Sequence, residues 1–375
     1  MNVGVGVSGL VAAAIAGAWA CGDNRIREPL VTDASNGVIV ASGLNGPVGI
    51  HVESDGTLWV SDSGTGGDGQ IEGPGAGTSQ RTLMSWGHTA RLLRVGVDGT
   101  VTEVLTLPSM VNPEGAQGAG RMVSLDGVLY VTNGVWSAGL SIDRPALMAS
   151  VVRLRDGTAS EFATTWEIEK RDNPDGAAIE TNPFDLTVGP DSALWLTDAA
   201  GNTLYRIDPE TGALELRAVF DVVRGPEPGA ARGEARDVEA VPTAVAFDGR
   251  GNTYVALLSG LPFVAGSGRV VRVSEDGSIG AYATGLTMLT DLVTGPDGQL
   301  YGVSIGELTD RGPVPNSGAI LRIREGTESE PILSGLSYPT TVVFTKGGDA
   351  YVAINGIGEP GSGQIVAYPG LIRMN

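Results

Sequence analysis

Polar side chains occupy matching places in a short apolar strand pattern that recurs along the chain. Asp185 in PFDLTV and Asp291 in LTDLVT take the third position, and Arg121 takes it in AGRMVS. Threonines take the second position in three such strands, and further polar residues come just before a strand. These candidates are Thr243, Thr290, Thr340, Glu180, Asn182 and Glu239. Carboxylate and hydroxyl oxygens that met at one point would hold a divalent cation such as calcium.

An arginine among these residues favours a different interpretation. Arg121 would neutralise Asp185, because structural ion pairs gather charges at one place just as metal sites do. A fixed guanidinium in the same ring would also repel a metal ion. We therefore expect an Arg121–Asp185 pair with threonines lining a wet channel, and no tight divalent site.

A recurrent hairpin supplies the elements that would bring these residues together. It consists of a Gly/Asp turn followed by alternating apolar and polar residues, with an aromatic residue at one fixed place. The copies read SDGTLWVSD, LDGVLYVTN, PDSALWLTD, GRGNTYVAL, PDGQLYGVS and KGGDAYVAI. Asp-Gly between alternating runs is a strong hairpin signal. Each copy has another strand pattern before it and one after it, and most have a fourth.

Four antiparallel strands repeated six times predict an all-β, six-bladed β-propeller. The sixth unit stops after three strands at Tyr368, and the early segment Asn36 to Leu44 resembles a missing fourth strand. We expect this N-terminal strand to close the ring, so that residues 36–375 form one domain.

An arginine repeated in the third strand of five blades is expected to pack between blades and to pair with acids such as Asp62 or Asp198; the arginines are Arg94, Arg153, Arg206, Arg272 and Arg322.

The stretch Gly64 to Gly69 matches the G-x-G-x-x-G pattern of dinucleotide sites. That site needs a helix directly after the glycines. The sequence that follows is rich in glycine, contains Pro74 and has no helical periodicity. We interpret the stretch as the start of a long loop in the first blade, with ARLLRV as the next strand.

The N-terminus carries a processing signal. Residues 1–20 contain no charged side chain, and their apolar run ends in Ala-Trp-Ala directly before Cys21, the only cysteine. Small residues before a cleavage point are typical of a secretory signal. The placement of Cys21 is similar to a bacterial lipoprotein box, which implies lipidation of that thiol. Residues 21–35 would form a linker, and the protein would lie outside the cytoplasm, as an envelope lipoprotein or in secreted form.

Composition and motifs restrict the function further. The formal net charge of −19 disfavours nucleic acid and anionic lipid as partners, so a lipid anchor is the one membrane contact that we expect. His88 lies in the first-blade insertion, but no serine or cysteine nucleophile motif accompanies it. No histidine–cysteine metal spacing occurs either.

The chain resembles the ScyD/ScyE family of secreted, NHL-like propellers in the TolB-like superfamily. The resemblance covers the run from Gly64 to Val95, then Thr181 to Gly212, Glu239 to Phe247 and Tyr282 to Val303. It implies a propeller fold and export. The family has no firmly established catalytic chemistry, and this chain lacks cysteines that members often carry in the insertion.

Two functions remain open at this stage. The first is a monomeric, non-catalytic module that binds a protein or a small molecule at the channel rim. The alternative is a metal-dependent hydrolase or lactonase similar to the regucalcin and gluconolactonase propellers. We favour the binding module, because the Pro-Asn-Gly that such enzymes place at an inner strand reads Pro-Thr-Ala, Pro-Thr-Thr or Pro-Phe-Asp here.

Overall fold

The protein is an all-β, six-bladed propeller. The computed structural model describes residues 37–74, 81–112, 115–224, 237–261, 263–309, 311–326 and 329–372. The predicted signal peptide, Cys21 and the 21–35 linker lie outside these residues. Among the described residues, no helix has the length and apolar character that a membrane crossing requires.

Each blade is an antiparallel sheet whose first strand lies next to the central channel. Blade 1 contains Pro47–Val52, Leu58–Asp62, Arg81–Val95 and Val101–Asn112. Blade 2 contains Ala119–Leu125, Val128–Asn133, Ser150–Arg155 and Thr158–Ala163. Blade 3 contains Pro183–Val188, Leu194–Asp198, Thr203–Ile207 and Leu214–Val219. Blade 4 contains Pro242–Phe247, Thr253–Leu257, Gly268–Val273 and Ile279–Leu286. Blade 5 contains Leu289–Thr294, Leu300–Ser304, Gly318–Ile323 and Ser329–Leu336.

Blade 6 joins the two ends of the chain, as the sequence predicts. Its strands are Thr341–Phe344, Ala350–Ile354, Gly363–Tyr368 and the N-terminal Val38–Leu44. The N-terminal strand runs antiparallel to Gly363–Tyr368, with Val38 opposite Ala367 and Leu44 opposite Gly363. This pairing leaves no open sheet edge at the ring closure, which is the place where a propeller is otherwise vulnerable.

The first-blade insertion differs from the predicted loop. Among the described residues of the insertion, 63–68 are irregular, and Gly69–Pro74 pairs antiparallel with the start of the long strand Arg81–Val95. The described part of the insertion therefore contains a pair of β-strands. A short strand, Gly115–Gln117, extends the same sheet beyond Val101–Asn112. The glycines and Pro74 hid the alternation in these strands. The described residues directly after Gly69 form a strand, whereas a dinucleotide site needs a helix at this place.

Three pairs of short strands and one helix complete the described part of the chain. They are the strand pairs Trp136–Ser137 with Glu180–Thr181, Val223–Arg224 with Asp237–Val238, and Leu308–Thr309 with Gly312–Pro313, and the helix Trp166–Asp172. The sequence analysis missed the helix, although Thr164 and Glu167 have the spacing of a helix start. The Thr164 hydroxyl accepts a hydrogen bond from the Trp166 N–H.

The hydrophobic core is divided among the blade junctions. One buried cluster lies between each pair of neighbouring blades, including blades 6 and 1, where Leu44 packs with Val60 and Ile365. A separate cluster beneath the insertion includes Met84, Trp136 and Trp166. Burial of apolar side chains between blades therefore holds the ring together and fixes the positions of the inner strands.

The repeated arginines lie within blades rather than between them. Arg94 donates to Glu53 at 2.9 Å and lies over the Trp59 ring of its own blade. Arg206 pairs with Asp191 at 2.5 Å, also within one blade. Asp62 instead pairs with Arg91, and Asp198 accepts from the Thr181 hydroxyl. The predicted structural role is retained, but the expected partners were wrong.

Candidate functional site

A hydrogen bond crosses every junction between neighbouring blades close to the channel. Most involve a hydroxyl or carboxylate of one blade and a backbone group on the inner strand of its neighbour. In ring order they are Ser61 Oγ to Gly120 O (2.5 Å), Thr132 Oγ1 to Phe184 O (3.0 Å), Val245 N to Asp185 Oδ2 (2.8 Å), Thr243 Oγ1 to Leu289 O (2.8 Å), Thr341 Oγ1 to Asp291 Oδ2 (2.7 Å) and Thr340 Oγ1 to Pro47 O (2.6 Å). We call these six bonds the junction ring.

The junction ring gives several predicted site residues a structural role. Asp185, Thr243, Asp291 and Thr340 are buried and hold neighbouring inner strands together. The threonine hydroxyls were expected to line a wet channel. At Thr243 and Thr340 they instead donate to a carbonyl of the next blade, because a buried backbone acceptor needs a partner.

Arg121 crosses the centre of the ring. Its Nη2 donates to the carbonyl oxygens of Thr290 at 2.6 Å and Thr340 at 2.7 Å, and its Nη1 donates to that of Val48. One side chain from blade 2 thereby contacts the inner strands of blades 1, 5 and 6. The guanidinium also lies 5.5 Å from the centre of the Phe184 ring. The Arg121 side chain therefore places a positive charge, held by its hydrogen bonds, in the channel.

Two carboxylates balance that charge. The Nε atom of Arg121 lies 3.9 Å from Asp185 Oδ1, and its Nη2 atom lies 3.8 Å from Asp291 Oδ2. The predicted pairing with Asp185 is present, but Asp291 shares the guanidinium equally. Burial and the nearby Asp291 charge raise the pKa of Asp185, and Arg121 partly offsets that rise.

A cavity of about 370 Å³ opens at the rim above Arg121. Its walls come from blades 1, 2, 3, 5 and 6, and they contain many glycines, so backbone groups form much of the surface. Phe184 and Ile357 form an apolar side, and Gln117 from the short strand beside the insertion lines another. Four predicted site residues line this cavity: Arg121, Asn182, Thr290 and Thr340.

Close packing of backbone explains the glycines. A Cβ atom added to Gly49 would lie 2.3 Å from the carbonyl oxygen of Gly120, and one added to Gly118 would lie 2.2 Å from that of Ser63. Neither distance is possible for a real side chain. These two glycines let blades 1 and 2 approach each other closely, and Gly118 lines the cavity.

The remaining acidic candidates belong to a second cluster at the rim of blades 3 and 4. Glu180 is buried, and its backbone N–H donates to the carboxylate of Glu169. Glu239 is half-buried and is hydrogen-bonded to Asn202, whose side chain also donates to Asp175 at 2.9 Å. Burial, Asp198 and Asp175 raise the pKa of Glu169 to about 8. Burial and Asp175 raise the pKa of Glu239 to about 7.

His88 is separate from both groups. It is exposed on the insertion strand and does not line the cavity. Asp185 and Asp291 each already accept a hydrogen bond from a backbone N–H of the next blade. Within the described ranges, no three histidine, cysteine or acidic side chains are grouped so that they could hold a metal ion.

Sequence reasoning missed Gln117 and three hydroxyl side chains of the junction ring, those of Ser61, Thr132 and Thr341. Ser61 and Thr132 stand at the same register of the second strand in LWVSD and LYVTN, one residue before its end. That repeated hydroxyl was the available signal. Gln117 had none, because its place beside the cavity depends on the path of the insertion.

Comparisons with solved structures agree with the fold. No protein-family model and no curated protein sequence matches the chain. Two similar structures are described as putative, an oxidoreductase (glucose dehydrogenase) from Thermus thermophilus and a gluconolactonase. The first is 16% identical over 88% of this chain and 98% of that chain, with a TM-score of 0.53. The second is 13% identical over 89% and 91%, with a TM-score of 0.51.

A third similar structure is regucalcin from Agrobacterium tumefaciens strain C58, described as a calcium-binding protein. It is 12% identical over 89% of this chain and 93% of that chain, with a TM-score of 0.50. At such identities the likeness shows the fold alone. The resemblance to the ScyD/ScyE family stays a prediction, because no family model bears on it.

Proposed function

We propose that this propeller acts on a small molecule at the channel mouth, and that it hydrolyses a lactone or a similar ester there. The cavity of about 370 Å³ with Arg121 at its floor is the observation that carries the proposal. Small ligands occupy clefts of roughly 300–1,000 Å³. A protein partner would instead need a surface of roughly 800 Å². We therefore prefer the hydrolase alternative to a protein-binding module.

One similar structure motivates the choice of substrate class. Among the propellers that this chain resembles, one is described as a putative gluconolactonase. Because the likeness is one of fold, it makes lactones the first class to test without fixing the substrate. In the hydrolysis, water adds to the carbonyl carbon, the ester C–O bond breaks, and a hydroxy acid forms. Donors at the carbonyl oxygen would stabilise the negative charge that develops there.

The metal-dependent form of this alternative does not fit the residues of the channel. Asp185 and Asp291 each bind a backbone N–H of the next blade, and both flank the guanidinium of Arg121. A divalent ion bound to these carboxylates would lie beside the positive charge of Arg121 and would compete with hydrogen bonds that join the blades. We therefore assign no step of the reaction to a metal ion.

A lactone panel tests the proposed activity. The purified protein is given five- and six-membered lactones and a phenyl ester, and acid release is followed with a pH indicator. We expect turnover above the buffer rate, and we expect Ala116→Trp to abolish it by filling the cavity that Ala116 lines. Ala138→Trp is the matched control, because Ala138 is exposed and does not line the cavity. If no lactone or ester is turned over, the hydrolase proposal fails.

Export with a lipid anchor is a separate proposal that rests on the N-terminal sequence. Cys21 directly follows Ala-Trp-Ala at the end of an uncharged apolar run. Mass spectrometry of protein expressed in a bacterial host should find a mature chain that begins at a diacylglycerol-modified Cys21. Cleavage elsewhere with an unmodified thiol would refute the anchor but leave simple secretion.

A further inference from the structure

The positive charge at the floor of the cavity is already offset. Among the described residues that line the cavity, Arg121 and Glu359 alone are charged, and the other polar side chains are neutral amides and hydroxyls. Arg121 is 5% exposed, and its guanidinium lies 3.9 Å from a carboxylate oxygen of Asp185 and 3.8 Å from one of Asp291. An anionic ligand would therefore gain less from Arg121 than from an isolated arginine.

Glu359 carries the charge of the cavity that has no counter-ion. It is exposed, and it lies in the loop of blade 6 that joins Ala350–Ile354 to Gly363–Tyr368. In the described part of the chain, no salt bridge and no side-chain hydrogen bond involves its carboxylate. Because Glu359 both lines the cavity and is exposed, its carboxylate is free to pair with a ligand there.

The backbone that carries Glu359 is held at the rim. The Glu359 carbonyl oxygen accepts hydrogen bonds from the Ser362 N–H at 3.0 Å and from the Ser362 hydroxyl at 2.6 Å. At the start of the loop, the Gly356 N–H donates to the Tyr338 carbonyl at 3.2 Å, in the segment that joins blades 5 and 6. A Cβ atom at Gly356 would lie 2.2 Å from Thr340 Cγ2, so the loop packs directly against the inner wall. A ligand would therefore have to order only the Glu359 side chain and not its backbone.

Charge complementarity favours a cation at this carboxylate. An ammonium group donates charge-assisted hydrogen bonds to a carboxylate. The formal charge of −19 on the whole chain attracts cations and repels anions at longer range. A ligand with a carboxylate or a phosphate would meet Glu359 at the rim and a neutralised arginine at the floor. A ligand with an ammonium group would instead meet a carboxylate that has no partner.

We propose that the substrate is an ester or a lactone that carries a positively charged amine, and that Glu359 binds this amine at the rim of the cavity. This inference rests on the proposed function and deepens it by naming a substrate class, the amino-substituted lactones and esters. It makes Glu359 a specificity residue with no part in breaking the ester bond.

Three lactams test the charge preference. They share one six-membered ring and resist hydrolysis, so they report binding alone: 3-aminopiperidin-2-one is positive, δ-valerolactam is neutral and 6-oxopiperidine-2-carboxylate is negative. The full chain is titrated with each by ligand-observed NMR at slightly acidic pH, where the amine is protonated. We expect the amino-lactam to bind about two- to fivefold more tightly than δ-valerolactam, the effect of one exposed ion pair, and the carboxylate to bind most weakly. Salt at about 1 M should remove these differences, because it screens exposed charges.

Substitution of the carboxylate assigns the preference to Glu359. Glu359→Gln should bind the amino-lactam about two- to fivefold more weakly than the wild type does and should bind δ-valerolactam equally well. Glu307→Gln is the matched control, since Glu307 is also exposed, lies in the corresponding loop of blade 5 and does not line the cavity. It changes the net charge by the same amount and should keep the wild-type preference.

The outcomes separate this inference from the proposed function. Equal binding of the three lactams, binding of none of them, or a preference that survives in Glu359→Gln would overturn the inference even if lactones are hydrolysed. Tightest binding of the carboxylate would overturn it as well. A preference for the amino-lactam that Glu359→Gln removes and Glu307→Gln keeps would support the inference. If no lactone or ester were turned over in that case, the hydrolase proposal alone would fail, and Glu359 would remain the residue that recognises a cationic ligand.

Discussion

The carboxylate of Asp185 accepts a hydrogen bond from the backbone N–H of Val245 at 2.8 Å and so joins the inner strands of blades 3 and 4. The equivalent contact of Asp291 with Val342, at 3.1 Å, joins blades 5 and 6. Asp185 and Asp291, which resemble metal ligands in the sequence, therefore hold neighbouring blades together. Their position near the axis follows from that task, since only there do the inner strands of neighbouring blades come together.

Removal of either carboxylate should destabilise the ring. In Asp185→Ala or Asp291→Ala, a buried N–H loses its acceptor and Arg121 loses a charge partner. We expect each variant to lose about 1–3 kcal/mol of unfolding free energy. Urea unfolding followed by tryptophan fluorescence measures the loss. Thr187→Ala, two residues along the same strand from Asp185, is the control and should stay close to the wild type. Equal stability of all three variants would contradict the structural role.

The contact between blades 1 and 2 should not tolerate a side chain at Gly49. A methyl group there would lie 2.3 Å from the carbonyl oxygen of Gly120 and would push blades 1 and 2 apart. We expect Gly49→Ala to cost about 1–3 kcal/mol, as overpacking does elsewhere. Gly280→Ala is the matched control, because Gly280 also lies in a strand and a Cβ atom there meets nothing within 4 Å. A similar effect of both substitutions would show that strand propensity, and not the close approach, is responsible.

The N-terminal strand should be required for a soluble ring. A chain that begins at residue 36 keeps Val38–Leu44 paired with Gly363–Tyr368, whereas one that begins at residue 45 exposes the edge of blade 6. Unpaired edges promote association between molecules. We expect the longer chain to elute as a monomer in size-exclusion chromatography and the shorter one to aggregate or to lose its cooperative thermal transition. Identical behaviour of both chains would refute a closing role for this strand.

The strands were predictable because the repeat is carried by local chemistry. Asp-Gly turns and alternating apolar residues place the second strand of each blade, and those strands end where the sequence predicts, at Asp62, Asn133, Asp198, Leu257, Ser304 and Ile354. The sixth inner strand begins at Thr341, two residues later than the pattern from Pro339 suggested.

The candidate site was less predictable because it depends on contacts between blades. The sequence identifies Arg121 as an inward residue, but its carbonyl partners at Val48, Thr290 and Thr340 are up to 219 positions away in the chain. The arginines repeated in the third strands show the same limit of prediction from sequence. Its repetition indicated packing, yet the partner of Arg94 is Glu53 in its own blade, a choice set by side-chain reach.

The acidic cluster of blades 3 and 4 should make stability depend on pH. Burial, Asp198 and Asp175 raise the pKa of Glu169 from 4.5 to about 8, so the folded protein binds this proton more tightly than the unfolded chain does. The resulting stabilisation is complete below pH 4.5 and is lost as the pH rises towards 8. We expect the midpoint temperature of thermal unfolding to decrease as the pH is raised from about 5 to about 8. Glu169→Gln, which mimics the protonated acid, should reduce that decrease. Glu167→Gln on the exposed side of the same helix should keep the wild-type slope; equal slopes in both variants would remove Glu169 as the cause.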